Sequence, residues 1–306
     1  PQPTSALDLT KYAWLSIATG IAVFSLKLVA FKLTGSVGLL SDALESTVNI
    51  VAAVIALLAL RTAMRPPDEV HHFGRGKAEY FSAQIEGFMI LIAALVIVWT
   101  AGERLLHPRE LEAGGIGLAI SSAASGLNAF TAVVLMRAGR KFRSATLVAD
   151  SRHLMTDVWT SVGVLVGVGL VYVTGYVRLD ALVALAVGLN IIVTGVNLLR
   201  ESTAKLLDKS LPDEDHAVIA TVLQRHEADN VKFHALQTRE AGQHRFVSMH
   251  ILVPGAWTIQ QGHDLACTVE EEILAALPMT TVSTHVEPIE DERSWQDVHA
   301  GQFTWD

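Results

Sequence analysis

The 306-residue chain has a single cysteine, Cys267, and only 18% of its residues are charged. One cysteine excludes an internal disulfide scaffold. A charged fraction well below the usual quarter of soluble domains argues that much of the chain faces a solvent other than water. Acidic residues outnumber basic ones for a formal net charge of −8, which argues against a nucleic-acid partner. There is no His-Glu-x-x-His run, so the helical signature of zinc hydrolases is absent. No cleavable leader is expected, because the first apolar segment carries Lys27 and Lys32 and no small-residue cleavage pattern.

Apolar residues make up 51% of the chain, and they are clustered. Residues 20–31, 50–60, 88–101, 114–136, 162–174 and 181–199 are nearly free of charge. Each extends through small and polar residues towards the roughly 20 residues that a spanning helix needs. The pattern predicts an N-terminal tail over 1–10 and a bundle of six transmembrane helices over 11–203. A soluble α+β domain follows over 204–291, with a C-terminal tail over 292–306. The segments after helices two, four and six hold Arg61, Arg65, Arg75, Lys77, Arg137, Arg140, Lys141, Arg143, Arg200, Lys205 and Lys209. The opposite loops hold Arg104, Arg109 and Arg178. This asymmetry predicts a multi-pass plasma-membrane protein with both termini cytoplasmic.

Two of these apolar helices carry matching polar stripes. Helix two reads "SVGLLSDALESTVN", with Asp42, Glu45 and Asn49 at helical spacing; helix five reads "ADSRHLMTD", with Asp150, His153 and Asp157. The helices run in opposite directions, and the inner residues of both stripes lie roughly 14–20 Å deep at about 1.5 Å per residue. Glu45, Asn49, His153 and Asp157 can therefore meet near the midplane. Ionisable residues in lipid are costly, so their presence points to function. Two carboxylates, an imidazole and an amide oxygen would neutralise and ligate a dehydrated dication. Tetrahedral zinc suits four mixed donors, and three oxygens leave iron(II), cobalt and manganese open. Asp42 and Asp150, one turn away, read as support, as an access path or as alternative ligands.

The chain resembles the cation diffusion facilitator family, dimeric proton-coupled exporters of divalent transition metals. The resemblance runs over nearly the whole chain, through "GSVGLLSDALESTVN", "HHFGRGKAEYFSA", "ADSRHLMTD" and "LLDKSLP" in order. It implies a transport site at Glu45, Asn49, His153 and Asp157, where the common zinc pattern has Asp or His, then Asp, on helix two. It also implies a second metal site in the loop after helix two. Asp68 and His71 match there, Arg75 stands where a second histidine is usual, and His72 is the available substitute. Lys77 and Asp208 are implied to pair at the hinge between membrane and soluble parts.

The soluble part reads as helix 213–226, strands 231–240 and 244–255, helix 262–278 and strand 280–290. The family resemblance implies that this αββαβ domain is metallochaperone-like. His234, His250 and His285 fall one to each strand and His263 at a helix start, while His285 and Glu287 share a strand face. The resemblance implies a regulatory metal site made of His234, His250, His263, His285 and Glu287. His107, His216, His226, His244 and His299 read as solvated.

The expected function is a homodimeric divalent metal/proton antiporter, not an enzyme, working by alternating access. Zinc or iron(II) would be its substrate, with cobalt, manganese or cadmium further possibilities, and divalent metal would also regulate it. Lipid and protons complete its partners. The rival readings are a membrane metal sensor, which would leave the midplane cluster without a purpose, and an intramembrane metalloenzyme, which needs an open coordination position and a general base.

Overall fold

The computed structural model describes residues 7–34, 37–107, 115–176 and 178–296, with the side chains of 33, 34, 37–42, 44, 45 and 115–118 outside that description. The chain divides into two units, Leu7–Thr203 and the C-terminal part from Ala204.

Six helices build the first unit: α1 (Thr10–Thr34), α2 (Val37–Ala63), α3 (Ala78–Leu106), α4 (Gly115–Lys141), α5 (Ala145–Thr174) and α6 (Arg178–Leu206). All six are long and apolar enough to cross a membrane. Their outward faces carry large apolar side chains, such as Trp99 and Val173, 78% and 82% exposed. Such surface is costly in water and suited to lipid.

Helix ends follow local chemistry. Pro66 and Pro67 follow α2 and prevent its continuation. Ser144 caps α5 by accepting from Leu147 N, and Gly175 ends it in the left-handed region at φ 76°.

Helix α5 lies between two apolar cores. Leu147 and Leu154 pack with Leu57 of α2, Leu135 of α4 and Ala13 of α1. On another side, Ala149 packs with Ile90 of α3 and Ile191 and Leu198 of α6. Helices α3 and α6 approach closely through small residues: a Cβ on Gly195 would lie 2.9 Å from Leu91 Cδ2. The helix carrying His153 is thus held by both halves of the bundle.

The second unit contains α7 (Asp213–His226), β1 (Lys232–Ala241), β2 (His244–Val253), α8 (Ile259–Ala276) and β3 (Thr280–Pro288). The sheet order is β1-β2-β3. Strands β1 and β2 form an antiparallel hairpin, whereas β3 runs parallel to β2, so α8 serves as the crossover. Ile219, Val222 and Leu223 of α7 and Val269 and Ile273 of α8 pack on Met249 and Ile251 of the sheet. One sheet face is left for polar side chains.

Three details depart from expectation. Helix α8 starts at Ile259, ahead of the expected residue 262, because Thr258 and Gln261 form a reciprocal capping box. Strand β1 is bulged between His234 and Gln237, with Ala235 at φ 54°. The tail expected from 292 begins with a 3-10 turn, Glu292–Trp295, whose Trp295 Nε1 donates to Ile289 O at 2.9 Å.

Candidate metal centres

In the bundle, α2 and α5 bring Asn49, His153 and Asp157 together. Asn49 Oδ1 lies 2.9 Å from His153 Nε2, and Asn49 Nδ2 donates to Asp157 Oδ2. Asn49 and His153 are 8% and 6% exposed. The stripes on α2 and α5 therefore meet through these three side chains. The side chains of Asp42 and Glu45 lie outside the described residues, although both positions belong to α2. Asp150 is buried and turns to Ser16 of α1.

The loop after α2 is organised around Asp68. Its Oδ1 accepts from Val70 N at 3.1 Å and His71 N at 2.8 Å, and its Oδ2 accepts from Arg75 Nη2 at 2.6 Å. The His71 backbone N–H, followed by the Arg75 guanidinium, holds the Asp68 carboxyl below the usual carboxylate range. His71 Nδ1 is 3.4 Å from Asp68 Oδ1, while His72 Nε2 faces Glu69 O at 3.0 Å. Asp68 and His71 are together, His72 is turned elsewhere, and Arg75 supplies the positive charge at Asp68.

The C-terminal unit holds the densest donor set. His234, His250 and His285 stand in direct register across β1, β2 and β3. The rings of His234 and His250 are 5.1 Å apart, and those of His250 and His285 5.2 Å. Glu287 sits among them, 3.4 Å from His234 Nε2, 3.2 Å from His250 Nδ1 and 3.3 Å from His285 Nε2. Ligand-type atoms of His234, His250 and Glu287 lie within 4.8 Å of one another. Among the described residues, buried His234 Nδ1 has no hydrogen-bond partner, and His250 Nδ1 faces Glu287. Two imidazoles, a carboxylate and an orphaned ring nitrogen fit a resident transition-metal ion. His285 is more exposed and flanks the set; His263 is exposed on α8, with Cys267 Sγ 3.5 Å from its Nε2. His263 and Glu287 both line a cleft of about 580 Å³.

Sequence reasoning missed several neighbours. The Trp295 ring lies 5.9 Å from the His234 ring, and its only sequence signal was an aromatic residue just beyond the last strand. Cys267 is one helical turn from His263, a spacing that was readable. His216, read as solvated, is buried and 2.9 Å from Thr238 Oγ1; His226 pairs with Glu272 at 3.1 Å. Burial pushes the His244 imidazole down. His299 lies outside the described residues.

Residues 13–207 match the cation efflux transmembrane domain, and residues 211–289 match the cytoplasmic domain of cation efflux proteins. An uncharacterised transporter of Synechocystis is 51% identical over 292 residues, covering 95% of this chain and 94% of that protein. The cation-efflux pump FieF of Serratia proteamaculans is 34% identical over 288 residues, covering 94% and 95%. Among solved structures, the Zn form of CzrB, described as a putative zinc transporter, is 30% identical over 26% of this chain and 92% of that one, with a TM-score of 0.25. The chain belongs to the cation efflux family, the cation diffusion facilitators, and is a multi-pass membrane transporter of that family.

Proposed function

We propose that the protein exports divalent transition-metal cations from the cytoplasm in exchange for protons, with zinc or iron(II) as substrate. The observation that carries this reading is the junction of Asn49, His153 and Asp157 across α2 and α5 inside the bundle. Glu45, one turn from Asn49, completes the ligand set, and Asp42 and Asp150 support it. Metal and protons compete there, because a ligating imidazole must be neutral and a ligating carboxylate ionised. An imidazole changes charge between pH 5 and 8, so His153 carries the exchanged proton. Alternating access moves the site between the two membrane faces.

His234, His250, His263, His285 and Glu287 form a cytoplasmic regulatory site that would hold a transition metal and tighten a homodimer. Within the C-terminal unit, Asp208 Oδ1 accepts from Arg239 Nη1 at 3.4 Å. The basic residues flanking α2, α4 and α6 support cytoplasmic termini in a plasma membrane.

The test uses full-length protein in liposomes loaded with a pH-sensitive dye and offered zinc, iron(II), cobalt, manganese or cadmium. Metal-driven proton movement that stops in Asp157→Ala is the expected result. Metal uptake without proton movement would overturn the antiport reading.

A further inference from the structure

Two carboxylates of the bundle, Glu86 and the supporting Asp150, are not among the ligands of the sites just described. Glu86 of α3 is fully buried, and Asp150 of α5 is 1% exposed. Glu86 Oε1 accepts from Ser82 Oγ at 3.5 Å, and Asp150 is hydrogen-bonded by Ser16 of α1. The remaining oxygens, Glu86 Oε2 and Asp150 Oδ2, are buried without a hydrogen-bond partner among the described residues. Ala83 and Ile90 of α3 and Ala149 of α5, flanking them in sequence, share one buried core, so the two carboxylates lie near each other between packed helices. Among the described residues, neither pairs with a lysine or arginine.

Glu79, two turns nearer the α3 start, is used differently. Its carboxylate accepts from Ser144 Oγ and from Thr146 N at 3.4 Å, so it caps α5 and ties it to α3. That contact also fixes which ends of α3 and α5 lie together. Counted from those ends, Asp150 and Glu86 lie about 9–14 Å deep at ~1.5 Å per residue, and Asp157 about 20 Å.

Buried charges are paired or ligate a metal, and two unpaired carboxylates side by side away from water satisfy neither condition alone. A dication satisfies both. We propose that Glu86 and Asp150, with the Ser82 and Ser16 hydroxyls, form a second divalent-cation site. It lies between the membrane face at the α3 and α5 starts and the His153–Asp157 site. Its donors are all oxygens, so it takes hard cations such as manganese without discriminating for zinc. Its place as a waypoint rests on the transport reading; its existence as a binding site does not.

The experiment uses full-length protein and Mn²⁺ as the probe. In a background of Glu45→Ala, His153→Ala, Asp157→Ala and Glu287→Ala, Mn²⁺ should still bind, read by electron paramagnetic resonance. Glu86→Gln, which preserves side-chain shape, should remove that binding, and Asp150→Asn should do so independently. In otherwise unaltered protein in liposomes, Glu86→Gln should raise KM for Mn²⁺ about tenfold with kcat nearly unchanged. Absence of residual Mn²⁺ binding, or residual binding that survives both substitutions in folded protein, overturns the site. An unchanged KM overturns its role as a waypoint. Failure of the unaltered protein to move any metal overturns the transport reading instead, and the resonance titration still decides the site.

Discussion

His153 Nε2 on α5 and Asn49 Oδ1 on α2 lie 2.9 Å apart, and the same amide donates through Nδ2 to Asp157. Since the amide oxygen only accepts, His153 Nε2 carries the proton in this arrangement. A metal bound through that nitrogen requires the proton to sit on Nδ1 instead and breaks both contacts. The neutral His153–Asn49 contact contributes on the order of 1 kcal/mol and the amide donation to the Asp157 carboxylate about 1.5–3 kcal/mol, so the metal-free site is closed weakly enough for a dication to open it.

Asn49→Asp replaces a neutral oxygen donor by an anionic one and abolishes the amide donation to Asp157. The metal-free site should become less stable and the zinc affinity rise about tenfold, or about 1.4 kcal/mol. The pH dependence between roughly pH 5 and 7 should steepen, because the new carboxylate is repelled by Asp157 and takes up a proton more readily. Metal titration over that range, with Glu287→Ala in the background, measures both effects. Unchanged affinity and slope would place Asn49 outside the ligand set.

His153→Ala and Asp157→Ala should each reduce metal-driven proton exchange by more than about 100-fold, since loss of a supporting partner alone typically costs about 10–100-fold. Size-exclusion elution should remain that of the unaltered protein. Transport by Asp157→Ala at the normal rate would remove this residue from the site.

Glu287 contacts three histidines, so Glu287→Ala should weaken zinc binding to the C-terminal site about 10–100-fold, more than His285→Ala. Calorimetry on full-length protein carrying Asp157→Ala isolates that site. Transport should fall without disappearing. Equal effects of the two substitutions would contradict the central place of Glu287.

Arg75→His should free the Asp68 carboxylate and let the loop bind zinc with His71. In the unaltered protein the Asp68 carboxyl is held below the usual range by His71 N–H and Arg75. Its contribution is therefore fully present above the unfolded value of about 3.9 and is lost only as pH falls through the lower folded value. Hydrogen exchange of residues 66–77 should stay slow down to about pH 4, and Arg75→Ala should move its acid-induced rise to higher pH. Identical profiles would mean the ion pair does not order the loop.

A Cβ at Gly167 would fall 2.5 Å from Asp180 Oδ1 and 3.0 Å from Asp180 Cα. Asp180 also accepts from Arg104 Nη1 at 3.3 Å. Gly167→Ala should therefore push α5 from α6 and lower stability by about 1–3 kcal/mol. Thermal unfolding in detergent measures this; an unchanged midpoint would mean the helices adjust freely.

Local pattern along the chain marks out the elements and the donor groups they carry. Apolar run length marked six helices, because lipid requires each backbone segment to satisfy its own hydrogen bonds. Helical spacing put Asn49 on one face of α2 and His153 with Asp157 on one face of α5, and alternation aligned His285 with Glu287. Packing selects which of these groups meet. Only the parallel β2–β3 register brings His285 beside His250, and only the bulge at Ala235 lets His234 face them while Leu236 enters the core. Pairing across strands and between distant helices depends on packing, which local periodicity does not encode. The same reason hid Glu86. Its neighbours on α3 are apolar or small, and its importance arises from Asp150 on another helix, brought close when α3 and α5 pack.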